Sequence, residues 1–233
     1  PTKEPQRVGI PHTEDVDELV NNYKGKEAFG TGEAFDVSYD NIEKRLNNGT
    51  LEKSGIEYGF IKKDNRGKTV NVSFAMRTGN VNQLMNKGVT AQFTANLLNK
   101  GTKNMSRQEI EDKLSELKSS ISFRGANGRV YANISSTEDK LMETLALMAE
   151  IFKNPIFDEA ELDKLKTQNL AMIEQNKSEP TFIASMKIGQ INQRYKKGHP
   201  LYSMSIDEQI EAINNLTTED IKEYYNDFYG ISD

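Results

Sequence analysis

The chain has 233 residues, of which 36% are hydrophobic and 28% are charged, an ordinary globular composition with room for one or two domains. Its formal net charge of −5 argues against nucleic acid as a partner, and the sequence contains no basic block with interleaved aromatic residues. The absence of cysteine excludes disulfides and thiol chemistry. The sequence also lacks an apolar run of about 18 residues, which a membrane segment would require.

Residues 1–37 are predicted to form a linker. They are polar and rich in Glu, Lys, Gly and Asn, and Glu14–Asn22 is the one segment that could form a short helix. Because the chain begins with Pro1, we expect it to be cut from a longer polypeptide. The sequence thus predicts one folded domain over residues 38–233.

The next elements have strand patterns. Ile56–Ile61 and Val70–Met76 alternate apolar with polar or small residues, and Asp64–Gly67 between them has the composition of a turn. We therefore expect a hairpin with one buried face. Two further strands are predicted at Ser120–Arg124 and Arg129–Ile134.

Helical patterns separate and follow these strands. Gly88–Leu98 has apolar residues at helical spacing and is closed by Gly101, and Ser106 with Glu109 predicts a capping box for the next helix. Later helices are expected to begin at Ser136, at Asp158 with a possible break near Pro180, at Ile206, and at Thr217 or Thr218. This order predicts an α+β fold, a sheet covered on one face by helices.

The stretch Gly88–Thr102, ending in Leu97-Leu98-Asn99-Lys100-Gly101-Thr102, resembles the zinc helix of the pitrilysin/insulinase metallopeptidases, which carry an inverted His-x-x-Glu-His motif. Aligned back from Gly101-Thr102, the first histidine falls on Gln92, the glutamate on Ala95 and the second histidine on Asn96. All three functional groups are missing. The resemblance covers residues 38 to about 229 and implies the metallopeptidase/mitochondrial processing peptidase-like fold.

The remaining candidate ligands do not make a zinc site. Catalytic zinc needs three protein ligands, but the only histidines are His12 and His199, and each lies beside a proline. The family's third ligand, a glutamate on a later helix, is expected near the apolar Leu170–Ile173, where Glu174 is adjacent. One carboxylate alone would not hold zinc. We therefore predict no catalytic residue and no metal ligand in this domain.

Two other interpretations of single residues are weaker. Gln92 and Asn96 could act as a polar binding pair, but the simpler interpretation is a solvated edge of a core helix. Ser/His/Asp catalysis would require His12 or His199 as base, and no spacing marks a nucleophile.

The resemblance implies a catalytically silent domain of a multidomain zinc metalloendopeptidase, helping to enclose a peptide substrate. The domain itself would need no cofactor, and an active parent protein would hold zinc elsewhere. Its expected partners are other domains of the same chain and peptide or unfolded polypeptide. The alternatives are a domain of a wholly inactive binding or assembly subunit, or a hydrolase site that the resemblance hides. The compartment stays undetermined, because a cysteine-free chain is compatible with the cytosol and with an exported bacterial protein. A bacterial periplasmic or cell-envelope location is one hypothesis.

Overall fold

The computed structural model describes residues 32–230, so the predicted linker helix lies outside the described residues. The elements in chain order are α1 (Tyr39–Arg45), β1 (Leu46–Thr50), β2 (Glu57–Ile61), β3 (Thr69–Arg77), α2 (Gly88–Leu97), α3 (Arg107–Glu116), β4 (Ser120–Ala126), β5 (Arg129–Thr137), α4 (Leu141–Lys153), α5 (Glu159–Asn176), α6 (Pro180–Ile191), α7 (Ile206–Asn215) and α8 (Thr218–Phe228). The predicted α+β class is confirmed. Most of the predicted linker, residues 1–31, lies outside the described part, so the domain boundary at residue 37 stays a prediction.

The main sheet is antiparallel, with strand order β3-β5-β4. Side chains alternate between its two faces, as the period of two in a strand requires. The inward residues pack into the core with the helices and are Val72, Phe74, Met76, Ile121, Phe123, Val130, Ala132 and Ile134. The outward residues are mostly polar and mostly exposed. One face of the sheet is therefore covered by helices, as predicted.

The predicted pairing of the first two strands is wrong. β2 pairs with β1, and β3 pairs with β5. β1 was missed because its sequence, Leu-Asn-Asn-Gly-Thr, contains little that favours a strand. The turn that joins β1 to β2 contains Gly55 at a φ of +65°, a conformation that glycine adopts without steric cost. Every residue of β2 is exposed, so the predicted buried face is absent from β2, whereas Val72, Phe74 and Met76 of β3 do pack against the core.

The predicted start of the fourth helix is also wrong. Ser136 lies inside β5, and α4 begins at Leu141. The Ser136 hydroxyl is buried and lies 3.1 Å from the Thr144 hydroxyl, while the Ser119 hydroxyl donates to Ser136 at 2.8 Å. The serine therefore joins the end of the sheet to α4 instead of capping the helix.

Other helix ends follow the sequence signals. Ser106 caps α3 through a capping box with Glu109, which confirms that prediction. α5 ends at Asn176 and α6 begins with Pro180 in its first turn, so the chain breaks there into two helices. Of the two candidate caps for the last helix, Thr217 is the one whose side chain accepts a hydrogen bond, from the Asp220 amide.

Helix α8 joins the sheet and α4 through aromatic residues. The Tyr224 hydroxyl donates to the Thr78 hydroxyl at 3.2 Å, and the Tyr225 hydroxyl donates to the Phe152 carbonyl at 2.7 Å. Phe152 stacks on Tyr229 with ring centroids 5.5 Å apart. Burial raises the pKa of Tyr224, Tyr225 and Tyr229 above the ordinary value.

Over residues 32–230, no helix has both the length and the apolar character that crossing a bilayer requires.

Candidate functional site

The helix that resembles a zinc helix, α2, lies at the centre of the fold. Its apolar residues recur at helical spacing, so one broad face is buried against β4 and α8. Phe93 and Leu97 are each only 1% exposed. Even the polar Thr94 is fully buried, and its hydroxyl donates to the Thr90 carbonyl one turn earlier at 2.8 Å. This packing fixes the direction of every side chain on the helix.

The three motif positions on α2 have different surroundings. Gln92 is exposed, Asn96 is half-buried, and Ala95 is completely buried. Ala95 packs against β4 at Gly125, where a Cβ built on the glycine would lie 3.2 Å from the Ala95 Cβ and would overlap the Ala91 carbonyl. The position that the resemblance aligns with the catalytic glutamate is thus filled by close packing between a helix and a strand.

The other candidate ligands lie apart from these positions. The Nδ1 atom of His199 accepts a hydrogen bond from the Leu201 amide at 3.0 Å, and its ring stacks on Tyr195. Glu174 forms an ion pair with Lys177 at 2.7 Å. Within residues 32–230, no group of three or more metal-ligating side chains converges. His12 lies outside the described residues. The donor groups of the described part therefore do not fit a catalytic zinc ion.

A cavity of about 420 Å³ lies beside the amino-terminal end of α2. The segment Lys197–Pro200 forms one wall and α7 forms another. The Asn86 amide donates to the Gly198 carbonyl at 2.7 Å, which holds the two loops together. A Cβ on Gly198 would overlap the Asn86 side chain, and its φ of +89° also favours glycine. This volume is in the range of small-ligand pockets.

The Glu208 carboxylate, at the start of α7, is held in this cavity by an ion pair and by hydrogen bonds. Its carboxylate forms an ion pair with Lys197 at 2.8 Å, accepts from the Ser205 amide at 2.8 Å, and accepts from the Tyr202 hydroxyl at 3.3 Å. The pKa of Glu208 is lowered to about 2, chiefly by the hydrogen bond from Lys197 and secondly by the hydrogen bond from the Ser205 amide. The carboxylate therefore stays ionised and ties the loop to the helix.

This geometry predicts that Glu208→Gln destabilises the chain at pH 7. Because the folded pKa lies below the ordinary value of 4.5, the ionised carboxylate stabilises the fold above pH 4.5, and this contribution is lost as the pH falls to about 2. The gap in melting temperature between wild type and variant should close over that window. Glu211→Gln is the matched control, since Glu211 forms no ion pair with any other residue in 32–230. A gap that is constant from pH 7 to pH 2 would contradict this account.

The sequence did not predict the cavity. Its walls come from segments more than 100 positions apart, and no single segment has a ligand-binding motif. The only available signals were Gly198-His199-Pro200-Leu201, which indicates a loop, and the capping pair of Ser205 with Glu208.

Comparison with known proteins identifies the family. Residues 60–203, more than half of the chain, match the model of the insulinase family, peptidase family M16. The chain therefore belongs to peptidase family M16. No curated protein matches the sequence.

Solved structures share the fold. The inactive domain of a peptidase M16 from Pseudomonas fluorescens matches with a TM-score of 0.64 and 22% identity, over 77% of this chain and 42% of that chain. A protease from Helicobacter pylori matches with a TM-score of 0.62 and 20% identity, over 80% of this chain and 44% of that chain. The periplasmic protease PqqL from Escherichia coli matches with a TM-score of 0.62 and 14% identity, over 80% of this chain and 21% of that chain. The present chain thus spans less than half the length of each of these structures.

Proposed function

We propose that this chain is a catalytically silent domain of an M16 metallopeptidase, which packs against other domains and helps to enclose a peptide substrate. The observation that carries the proposal is the state of α2. The positions that the resemblance aligns with the two histidines and the glutamate hold Gln92, Asn96 and Ala95, and the last is packed into the core. Zinc would be held by another domain of the parent protein, which would also supply the general base.

The fold match to a domain described as inactive, in the peptidase from Pseudomonas fluorescens, supports the proposal. So does the exposed apolar surface of this chain. Large hydrophobic residues are exposed on the β1–β2 hairpin and on α6, namely Leu46, Ile56, Tyr58, Phe60, Ile61, Ile183, Ile188 and Ile191. Several large apolar residues exposed on one element are what an interface with another domain would cover.

The second candidate function is that of a domain in a wholly inactive binding or assembly subunit. Loss of all three motif groups is equally compatible with this role, because the described residues contain no alternative metal cluster. The complete sequence of the parent protein separates the two. An intact His-x-x-Glu-His elsewhere in it would favour the silent domain of an active peptidase, and its absence would favour the inactive subunit.

The direct test is metal and activity analysis of the purified chain. After dialysis against zinc and then against metal-free buffer, we expect no stoichiometric zinc and no cleavage of a quenched fluorogenic peptide library, because ligands and base are missing together. The fold should be checked in the same sample by circular dichroism. One tightly held zinc per chain with chelator-sensitive cleavage would refute the proposal.

A further inference from the structure

The outward face of the β3-β5-β4 sheet is arranged in rows across the three strands. Two rows contain only serine and asparagine, Asn71-Ser135-Ser120 and Ser73-Asn133-Ser122. The next rows are Ala75-Tyr131-Arg124 and Arg77-Arg129-Ala126. A shallow concavity of about 280 Å³ lies over the serine and asparagine rows. This surface, defined by the four rows, is called the outer face below.

The charge of the outer face is opposite to that of the chain. None of its positions is Asp or Glu, although the whole chain has a net charge of −5. Arg77, Arg124 and Arg129 are exposed and gather at one end of it. None of the three forms an ion pair or a side-chain hydrogen bond with another residue in 32–230. The three positive charges therefore face solvent together.

The strand register makes the arginine cluster destabilising for the sheet when no anion is bound. Arg77 and Arg129 are direct cross-strand partners, with Cα atoms about 4.5 to 5.5 Å apart in any antiparallel pair. Like charges directly opposite each other destabilise a sheet. A carboxylate bound between the two guanidinium groups would remove this repulsion and form charge-assisted hydrogen bonds, which are stronger than neutral ones.

The rest of the face favours an extended polypeptide as the source of that carboxylate. The serine and asparagine side chains both donate and accept hydrogen bonds, as the backbone of an extended peptide requires. Tyr131 is the single aromatic of the outer face, and single-stranded nucleic acid is typically bound on several stacking aromatics. We propose that the outer face binds acidic segments of a polypeptide, with Arg77, Arg124 and Arg129 holding their carboxylates.

This inference rests on the proposed function, since it names the class of peptide that the silent domain would hold. The two fail in different ways. Zinc binding or peptidase activity would refute the silent domain and leave the outer face untouched. Peptide binding that ignores the charge of the peptide would refute the outer face as an acidic site and leave the silent domain intact.

The test is fluorescence anisotropy of the whole chain with labelled peptides of one length, alternating serine with glutamate, glutamine or lysine. We expect the glutamate peptide to bind at least about tenfold more tightly than the glutamine peptide, and its affinity to fall with added NaCl. Arg77→Gln with Arg129→Gln should weaken binding of the glutamate peptide by about tenfold, with little effect on the glutamine peptide.

Arg66→Gln is the matched control, because Arg66 is exposed in the turn before the other end of β3. It should leave the affinity unchanged. If the double variant aggregates, as loss of charge on an edge strand can cause, Arg124→Gln on the opposite edge provides the same test and should weaken binding by a smaller factor. Equal affinity for the three peptides, equal loss in the Arg66→Gln control, no loss in Arg124→Gln, or tighter binding of a single-stranded oligonucleotide would each overturn the inference.

Discussion

Replacing Gly125 by alanine is expected to lower the free energy of unfolding by about 3 kcal/mol, since overpacking a core contact forces the backbone apart. The added methyl group would overlap the Ala91 carbonyl, which belongs to the backbone of α2 and has no rotamer to change. The helix would have to move away from β4. For a domain of this size the melting temperature should fall by roughly 10 °C, measured by differential scanning calorimetry.

Gly88→Ala is the control for this experiment. A Cβ on Gly88, in the first turn of the same helix, would meet no atom within 4 Å. We expect this change to stabilise the chain by about 0.5 kcal/mol, because alanine loses less conformational freedom in a helix than glycine does. If both variants lost the same stability, the contact between α2 and β4 would be looser than described.

The second large effect is expected at Ala95, the position that the resemblance aligns with the catalytic glutamate. Ala95→Glu would place a carboxyl group at a fully buried site between α2 and β4, with no described partner charge. The expected cost is about 4 kcal/mol, from desolvation of the carboxyl group and from overpacking. Burial should also raise the pKa of the introduced group. The destabilisation should therefore grow as the pH rises from 4 to 8, which denaturant unfolding at several pH values would measure.

The matched control is Gln92→Glu, which adds the same group one turn earlier on the exposed side of α2. Its stability should stay within about 0.5 kcal/mol of wild type, as for most surface changes. An Ala95→Glu variant as stable as the control would show that position 95 faces solvent. Because Ala95 packs closely against Gly125, a larger side chain at position 95 would require α2 and β4 to move apart.

Local signals in the sequence predicted much of this fold. The spacing of apolar residues in α2 placed Ala95 on the buried face, and the pair of Ser106 with Glu109 fixed the start of α3. Both depend on residues within one or two helical turns, so local sequence is sufficient. The alternation in β3 likewise predicted which of its side chains point inward.

Features that depend on distant contacts could not be predicted. β2 pairs with β1 although the pattern suggested β3, because alternation shows that a strand exists and does not select its partner. The cavity beside α2 depends on the contact of Asn86 with Gly198. The arginine cluster of the outer face depends on the register that places Arg77 opposite Arg129. Each becomes visible only when segments far apart in sequence are brought together.

The β1–β2 hairpin has a consequence for how the chain unfolds. None of its residues belongs to the buried core, and a two-stranded hairpin alone is at best marginally stable in water. Its strands can therefore separate and pair again while the sheet and helices stay intact, as a small unit with its own equilibrium. A neighbouring domain that holds the hairpin would order this unit at a small energetic cost, independently of the cooperative folding of the rest.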